Sequence, residues 1–218
     1  GTLQLFRTQQ QLDGTGKDTD ILDRFKVPYQ VLSRAGCIEH EPALARVRDK
    51  FVGGLRLPGD ETGDCFKFSN RIAELAQARG ARLRFGESIK SLLTDGKRIT
   101  GVVTEAGRLQ DDAYLVALGI HSPKLLAPLG IHIPVYPVKG YSITVPIADP
   151  AGAPESTVMD ETHKIAITRL GNRIRVGGTA ELAGYTLRLH ERRRDTLMHV
   201  VADLFPDGGD LGRSEFWC

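Results

Sequence analysis

The side chains able to do chemistry are thinly spread in this chain. Six histidines, His40, His121, His132, His163, His190 and His199, stand far apart, and none sits in an H-x-x-x-H pair or beside a cysteine, so no metal site is expected. The three cysteines, Cys37, Cys65 and Cys218, are widely spaced and form no C-x-x-C. A disulfide framework and a zinc site are both disfavoured, and a reducing compartment is the simple reading. No G-x-S-x-G occurs, which removes the commonest serine-hydrolase signature. Asp111-Asp112 and Asp160-Glu161 are sequence neighbours, and neighbours in a strand point to opposite faces, so neither pair makes an acid/base dyad. Arg192-Arg193-Arg194 lies between Glu191 and Asp195 and reads as a solvated helix face ahead of an anion site. Two places defined by backbone remain. Ala117-Leu118-Gly119 ends an apolar run, and ligands of open α/β sheets bind beyond the carboxyl ends of strands. In Lys139-Gly140-Tyr141, Gly140 lets the backbone pass close to another element. Two readings of that triplet stand: a cation and a phenol facing a cleft, or an ordinary kink at a domain crossover.

These places need elements to hold them. Alternation in Gly1–Arg7 and the apolar, glycine-paired run Phe51–Leu57 predict strands. A short helix is expected near Asp18–Phe25, a strand over Val27–Leu32 and a helical turn over Glu39–Leu44. Beyond the loop Pro58–Asp64, Phe68, Ile72, Leu75 and Ala76 fall on one helical stripe, with Asp64 as cap and Gly80 just past the end. Ala81–Phe85 reads as a strand, Ile89–Leu93 and Ile99–Thr104 as a hairpin about Asp95-Gly96, and Ala113–Leu118 as a strand buried on both faces. After Pro137 the pattern changes to an antiparallel meander, Tyr141–Ile147, Ser156–Asp160, Lys164–Arg169 and Arg173–Thr179, followed by an amphipathic helix over Leu189–Phe205.

In the 218 residues, hydrophobic content of 41% and charged content of 26% are those of an ordinary globular chain with a real core. A net charge of +2, from 29 basic and 27 acidic residues, gives no argument for nucleic acid as a partner. No apolar window is long enough for a spanning helix. The start at Gly1 and the apolar ending Phe216-Trp217-Cys218 read as the edges of a piece cut from a longer protein.

Three blocks carry a resemblance. Phe51–Phe85, Leu115–Thr144 (with VYPVKGYSITVPI across its end) and Met159–Ala180 (with RIRVGG) resemble the FAD-dependent D-amino-acid oxidase superfamily and, within it, the bacterial D-amino acid dehydrogenases. The likeness covers nearly the whole chain and keeps the order of blocks. It implies a mixed α/β (α+β) fragment of a two-domain FAD oxidoreductase. Roughly 61–134 is then the middle of a Rossmann-like FAD domain, and 1–60 with 135–218 belong to a substrate domain on a large mixed sheet. It also implies FAD as cofactor, with Glu87, Ser88 and Ile89 near its adenine end and Ala117, Leu118 and Gly119 beside it. Lys139, Tyr141 and His163 would line the substrate side. The activity implied is oxidation of D-amino acids such as D-alanine to 2-oxo acids and ammonia by hydride transfer to the flavin. Electrons would pass to a membrane electron-transport chain, from a cytoplasmic protein associated peripherally with the inner face of the bacterial membrane.

The departures matter as much. No G-x-G-x-x-G is present to hold the pyrophosphate, and the family's Gly-Leu-Arg-Pro continuation, whose Arg clamps the substrate carboxylate, lies past Cys218. Position 163 is His where the resemblance implies Tyr, so a pocket role and a plain surface role both stand. The isolated chain is expected to be inactive, and to self-associate or expose an apolar patch where its strands lack neighbours. Two alternatives remain for the activity: an amine oxidase acting on glycine, sarcosine or proline, or a non-catalytic isolated domain.

Overall fold

The computed structural model describes residues 1–218. In chain order the elements begin β1 (Thr2–Phe6), α1 (Gln9–Asp13), α2 (Gly16–Arg24), β2 (Gln30–Ser33), α3 (Arg34–His40), a 3-10 stretch (Pro42–Lys50) and β3 (Gly53–Leu57). They continue with α4 (Cys65–Ala78), β4 (Ile89–Thr94), β5 (Ile99–Thr104), β6 (Gly107–Leu109) and α5 (Ser122–Leu126). The last part is β7 (Lys139–Pro146), β8 (Thr157–Asp160), β9 (Ile165–Leu170), β10 (Arg173–Glu181), α6 (Glu191–Leu204) and β11 (Glu215–Trp217). The chain divides into two compact units, one of Gly1–Asp64 with Val138–Cys218 and the other of Cys65–Pro137.

The first unit is built on an eight-stranded mixed sheet of order β11-β7-β10-β9-β8-β1-β3-β2. The expected antiparallel meander holds for β8–β9–β10, while β7 pairs antiparallel with β10 and not with β8, its neighbour in sequence. β1 joins it in parallel with β8, Thr2 opposite Thr157 and Leu5 opposite Asp160. Strand periodicity then sorts the side chains. Leu3, Val158, Ile167, Val176 and Ile143 fall on one face and are buried there. α6 covers that face across β7, β9 and β10. Its Leu197, Val200, Val201 and Leu204 are fully buried, each contributing about 1.5–3 kcal/mol by apolar transfer. The opposite face carries Thr157, Thr168, Arg175 and Thr144 in one row, and Met159, Ala166, Gly177 and Ser142 in the next. Buried Glu41 ties in the loop before β8, accepting from the amides of Glu155 (2.7 Å) and Ser156 (2.9 Å) and from the Ser156 hydroxyl.

The second unit holds α4, α5 and a three-stranded antiparallel sheet β4-β5-β6. The Asp95-Gly96 turn forms as expected. The amides of Lys97 and Arg98 both donate to Asp95 Oδ1 at 2.8 Å, and they hold its carboxyl below the usual range. α4 ends with Gly80 at φ +93°, a left-handed position suited to glycine.

Three expectations need correction. Ala81–Phe85 and Ala113–Leu118 are not strands, and Leu115 is 92% exposed. A strand exists through hydrogen bonds to a neighbour, and no strand of this chain lies alongside either segment. The helical turn at Glu39–Leu44 is instead a junction, with α3 ending at His40 and the 3-10 stretch beginning at Pro42. Proline at the start of that stretch lacks the N–H that would continue α3.

Candidate functional site

On the polar face of the eight-stranded sheet, β7 and β10 leave their backbone bare. Gly177 follows ordinary strand geometry, and a Cβ there would meet nothing closer than Ser142 Oγ at 3.8 Å. At Gly140 the nearest atom to an added Cβ is the Thr179 carbonyl at 3.7 Å. Neither packing nor dihedral angle demands glycine at these two positions. Gly178 differs, since a Cβ there would strike Ile165 at 2.7 Å on the covered face. The bare backbone floors an open depression of about 670 Å³ rimmed by Lys164, Thr179, Ala180, Trp217 and Cys218, a volume within the range of small-molecule sites. On the same face the Arg175 guanidinium lies 4.5 Å over the Trp217 ring.

Beneath this floor, on the covered face, lies a polar cluster that sequence reading brought only partly to light. The Tyr141 hydroxyl donates to Glu181 Oε2 at 2.5 Å, and Lys139 Nζ lies 3.3 Å from the same oxygen. Lys139 also sits 5.0 Å over the Tyr141 ring and donates to the Arg188 carbonyl at 2.9 Å. His190 Nε2 reaches Glu181 Oε1 at 3.9 Å, and Phe216 stacks on Tyr141 at 5.9 Å between centroids. The Tyr141 hydroxyl, the Lys139 ammonium and His190 hold the Glu181 carboxyl below the usual range, and the Tyr141 and Glu181 oxygens raise Lys139. Lys139 and Tyr141 are brought together, with both side chains buried and turned to Glu181. Glu181 itself carried no local signal, because its facing depends on a bulge in β10 between Gly178 and Glu181.

His163 is placed elsewhere. It stands in the β8–β9 turn with Nδ1 2.9 Å from Asp160 Oδ2 and its ring 6.0 Å from that of His199 on α6. Its partners belong to the covered face, while its neighbour Lys164 reaches the rim of the depression.

In the second unit Ile89 and Leu118 meet around one cavity of about 270 Å³, walled also by Leu92, Val102, Leu109 and Tyr114. Glu87 is next to it, accepting from the Thr104 hydroxyl and paired with Arg84 Nε at 2.6 Å. The Ser88 carbonyl accepts from the Glu105 amide at 3.2 Å. Gly119 adopts φ +52° with open space where a Cβ would lie, and the Leu118 amide donates to Ser122 Oγ at 3.2 Å. Such an apolar wall with a bare glycine at its edge suits the flank of a flavin dinucleotide. It does not suit the pyrophosphate, which needs convergent backbone amides at a glycine-rich helix start, and no such turn occurs in the chain. FAD thus fits these residues only in part.

The chain is 63% identical over its whole length to D-amino acid dehydrogenase from Bradyrhizobium diazoefficiens, of which it covers 52%. It is 62% identical to the D-amino acid dehydrogenase of Allorhizobium ampelinum, of which it covers 51%. The chain therefore spans about half the length of the curated relatives it matches. Among solved structures, glycine oxidase from Geobacillus kaustophilus superposes with a TM-score of 0.82 at 25% identity, over 100% of this chain and 56% of that one. The model of the DAO family, FAD-dependent oxidoreductases, matches residues 1–218, and the chain belongs to that family.

Proposed function

We propose that these residues are part of a flavin-dependent D-amino acid dehydrogenase that oxidises D-amino acids such as D-alanine to 2-oxo acids and ammonia. The observation carrying this reading is the 63% identity, over 217 residues, to a protein named D-amino acid dehydrogenase. FAD, if bound in the full-length protein, would supply the two-electron acceptor for oxidation of the amino acid to an imino acid, which water hydrolyses to the 2-oxo acid and ammonia. The segments 1–60 and 135–218 supply the substrate side, and 61–134 flanks the cofactor. This chain's residues bind and orient. The bare backbone at Gly140 and Gly177 lets a small ligand lie against the sheet, Lys139 and Tyr141 stiffen that floor from below, and His163 braces the β8–β9 turn. Glu87, Ser88 and Ile89 line the adenine end, and the Ala117–Gly119 turn lies beside the same cofactor. No acid/base dyad is required, which agrees with the absence of one from the motifs. Electrons pass on to a membrane electron-transport chain through peripheral association; no helix of the chain is long and apolar enough to cross a membrane. Lacking the phosphate loop, the 218 residues alone retain no FAD and do not turn over.

The superposition on glycine oxidase favours a second reading, oxidation of glycine or N-methyl amines. Dye reduction by the full-length flavoprotein on D-alanine against glycine, sarcosine and proline separates the two. Turnover on D-alanine with weak rates on the others is expected, and the reverse order overturns the first reading.

A further inference from the structure

We propose that Glu181 is a positioning residue for the substrate floor, placed there by a strained bulge in β10. The proposal rests on the reading above that the depression over Gly140 and Gly177 is the substrate side. Counting by twos along an unbulged strand would put Glu181 on the polar face with Gly177 and Thr179. The register shows otherwise: Tyr141 pairs with Gly178, yet Lys139, two residues back, pairs with Glu181, three residues on. The extra residue reverses the facing, so Glu181 turns to the covered face and meets Tyr141 and Lys139 there. Thr179, inside the bulge, takes φ +68°, a left-handed conformation that a β-branched residue adopts only under constraint.

The strain and the cluster share one location. Thr179 rims the depression, and Glu181 lies beneath it. β7 and β10 form the floor, and a floor of glycines has no side chains to interlock and hold its shape. Glu181 supplies that hold from the far side by gathering the Tyr141 hydroxyl and the Lys139 ammonium, while Lys139 fastens the Arg188 carbonyl. The same carboxylate thereby links both floor strands and the segment entering α6.

Amide hydrogen exchange and steady-state kinetics on the full-length protein test this, with Glu181→Ala and Glu181→Gln. The Gln variant keeps an oxygen to accept the Tyr141 hydroxyl. Glu181→Ala is expected to speed exchange about tenfold or more at amides of 139–142 and 177–181 while leaving β8 and β9 protected. KM for D-alanine should rise about tenfold with kcat within about twofold, and Glu181→Gln should restore most of both changes. Unchanged local exchange in Glu181→Ala overturns the proposal, as does a local change without any effect on KM. Exchange and melting temperature failing across the whole fold, for Ala and Gln alike, would make Glu181 a general stability residue and also overturn it. The flavin spectrum and D-alanine turnover of the unmodified protein test the underlying reading separately, because the exchange measurement needs no activity.

Discussion

Arg7 closes on Asp160 through two donors, with Nε at 3.0 Å and Nη2 at 2.7 Å from the same carboxylate oxygen. The third donor, Nη1, reaches Asp203 on α6 at 2.7 Å, and Lys50 Nζ meets Asp203 at 2.6 Å. One arginine at the end of β1 thus ties β8 to the helix that covers the sheet. Asp160 is fully buried and also receives His163 Nδ1. Arg7→Met leaves that carboxylate buried with its main partner gone. A loss of about 3–5 kcal/mol in unfolding free energy is expected, measured by urea denaturation.

The same network sets an acid limit. Burial opposes the charge on Asp160, yet hydrogen bonds from Arg7 and His163 outweigh it and hold the carboxyl below its ordinary value. Asp203 is lowered in the same way, burial opposing and Lys50 and Arg7 prevailing. Folded values below the unfolded value of about 3.9 mean that the stabilisation is complete above about pH 5 and fades as pH falls through the folded values. The stability gap between the parent chain and Asp160→Asn should be flat from neutral pH to about pH 5 and narrow below about pH 4. A gap constant down to pH 3 would count against this assignment.

Two glycines of the same sheet should respond oppositely to alanine. At Gly54 a Cβ would meet the Gln4 carbonyl at 2.7 Å, Leu3 Cδ1 at 2.9 Å and Cys37 Sγ at 3.0 Å. Gly54→Ala should destabilise by about 1–3 kcal/mol through overpacking. Gly177→Ala makes only ordinary contacts, the nearest being Ser142 Oγ at 3.8 Å, and should change stability by no more than about 0.5 kcal/mol. If the depression holds the substrate, Gly177→Ala nonetheless raises KM in the full-length protein. Thermal melts paired with kinetics read both effects.

Cys37 is buried in the core, and burial pushes its thiol up to about 11. Cys65 is exposed. Iodoacetamide at pH 8, followed by peptide mass spectrometry, should label Cys65 in the native chain and Cys37 only after unfolding. Labelling of both at equal rates would contradict the packing around α3.

The isolated chain should self-associate through its second unit. Phe66 and Phe68 on α4 are 74% and 66% exposed, and Phe85 is 84% exposed. Apolar surface of this extent draws chains together. Sedimentation velocity should show reversible association that weakens in Phe68→Lys with Ile72→Lys, and a monomer at high concentration would refute it.

Much of the first unit was legible because its signals are local. Alternation marked β7 to β10, and the stripe Leu197, Val201, Leu204 marked α6. Ala113–Leu118 misled because apolar content reports a wish for burial, whereas strand formation needs a partner that these residues do not contain. α3 escaped notice because Gly36 lowers its helix propensity; a Ser33 side chain accepting from the Gly36 amide starts it instead. In the candidate site, Lys139 and Tyr141 were visible by type and spacing. Glu181 was not, since its partner depends on one extra residue in a strand, and no periodicity counts a bulge in advance.

The parallel pairing of β1 with β8 has a consequence for biosynthesis. Thr2 finds Thr157 only after the whole of Cys65–Pro137 has left the ribosome. At about 5–20 residues per second, β1 waits many seconds for its neighbour. Loop closure over such a separation makes this sheet a slow folder, whereas the β4–β5 hairpin can form as it emerges. During translation β1 and β3 therefore stand with the β8 edge of β1 unpaired, and a chaperone that shields that edge for the interval should raise the yield of soluble chain.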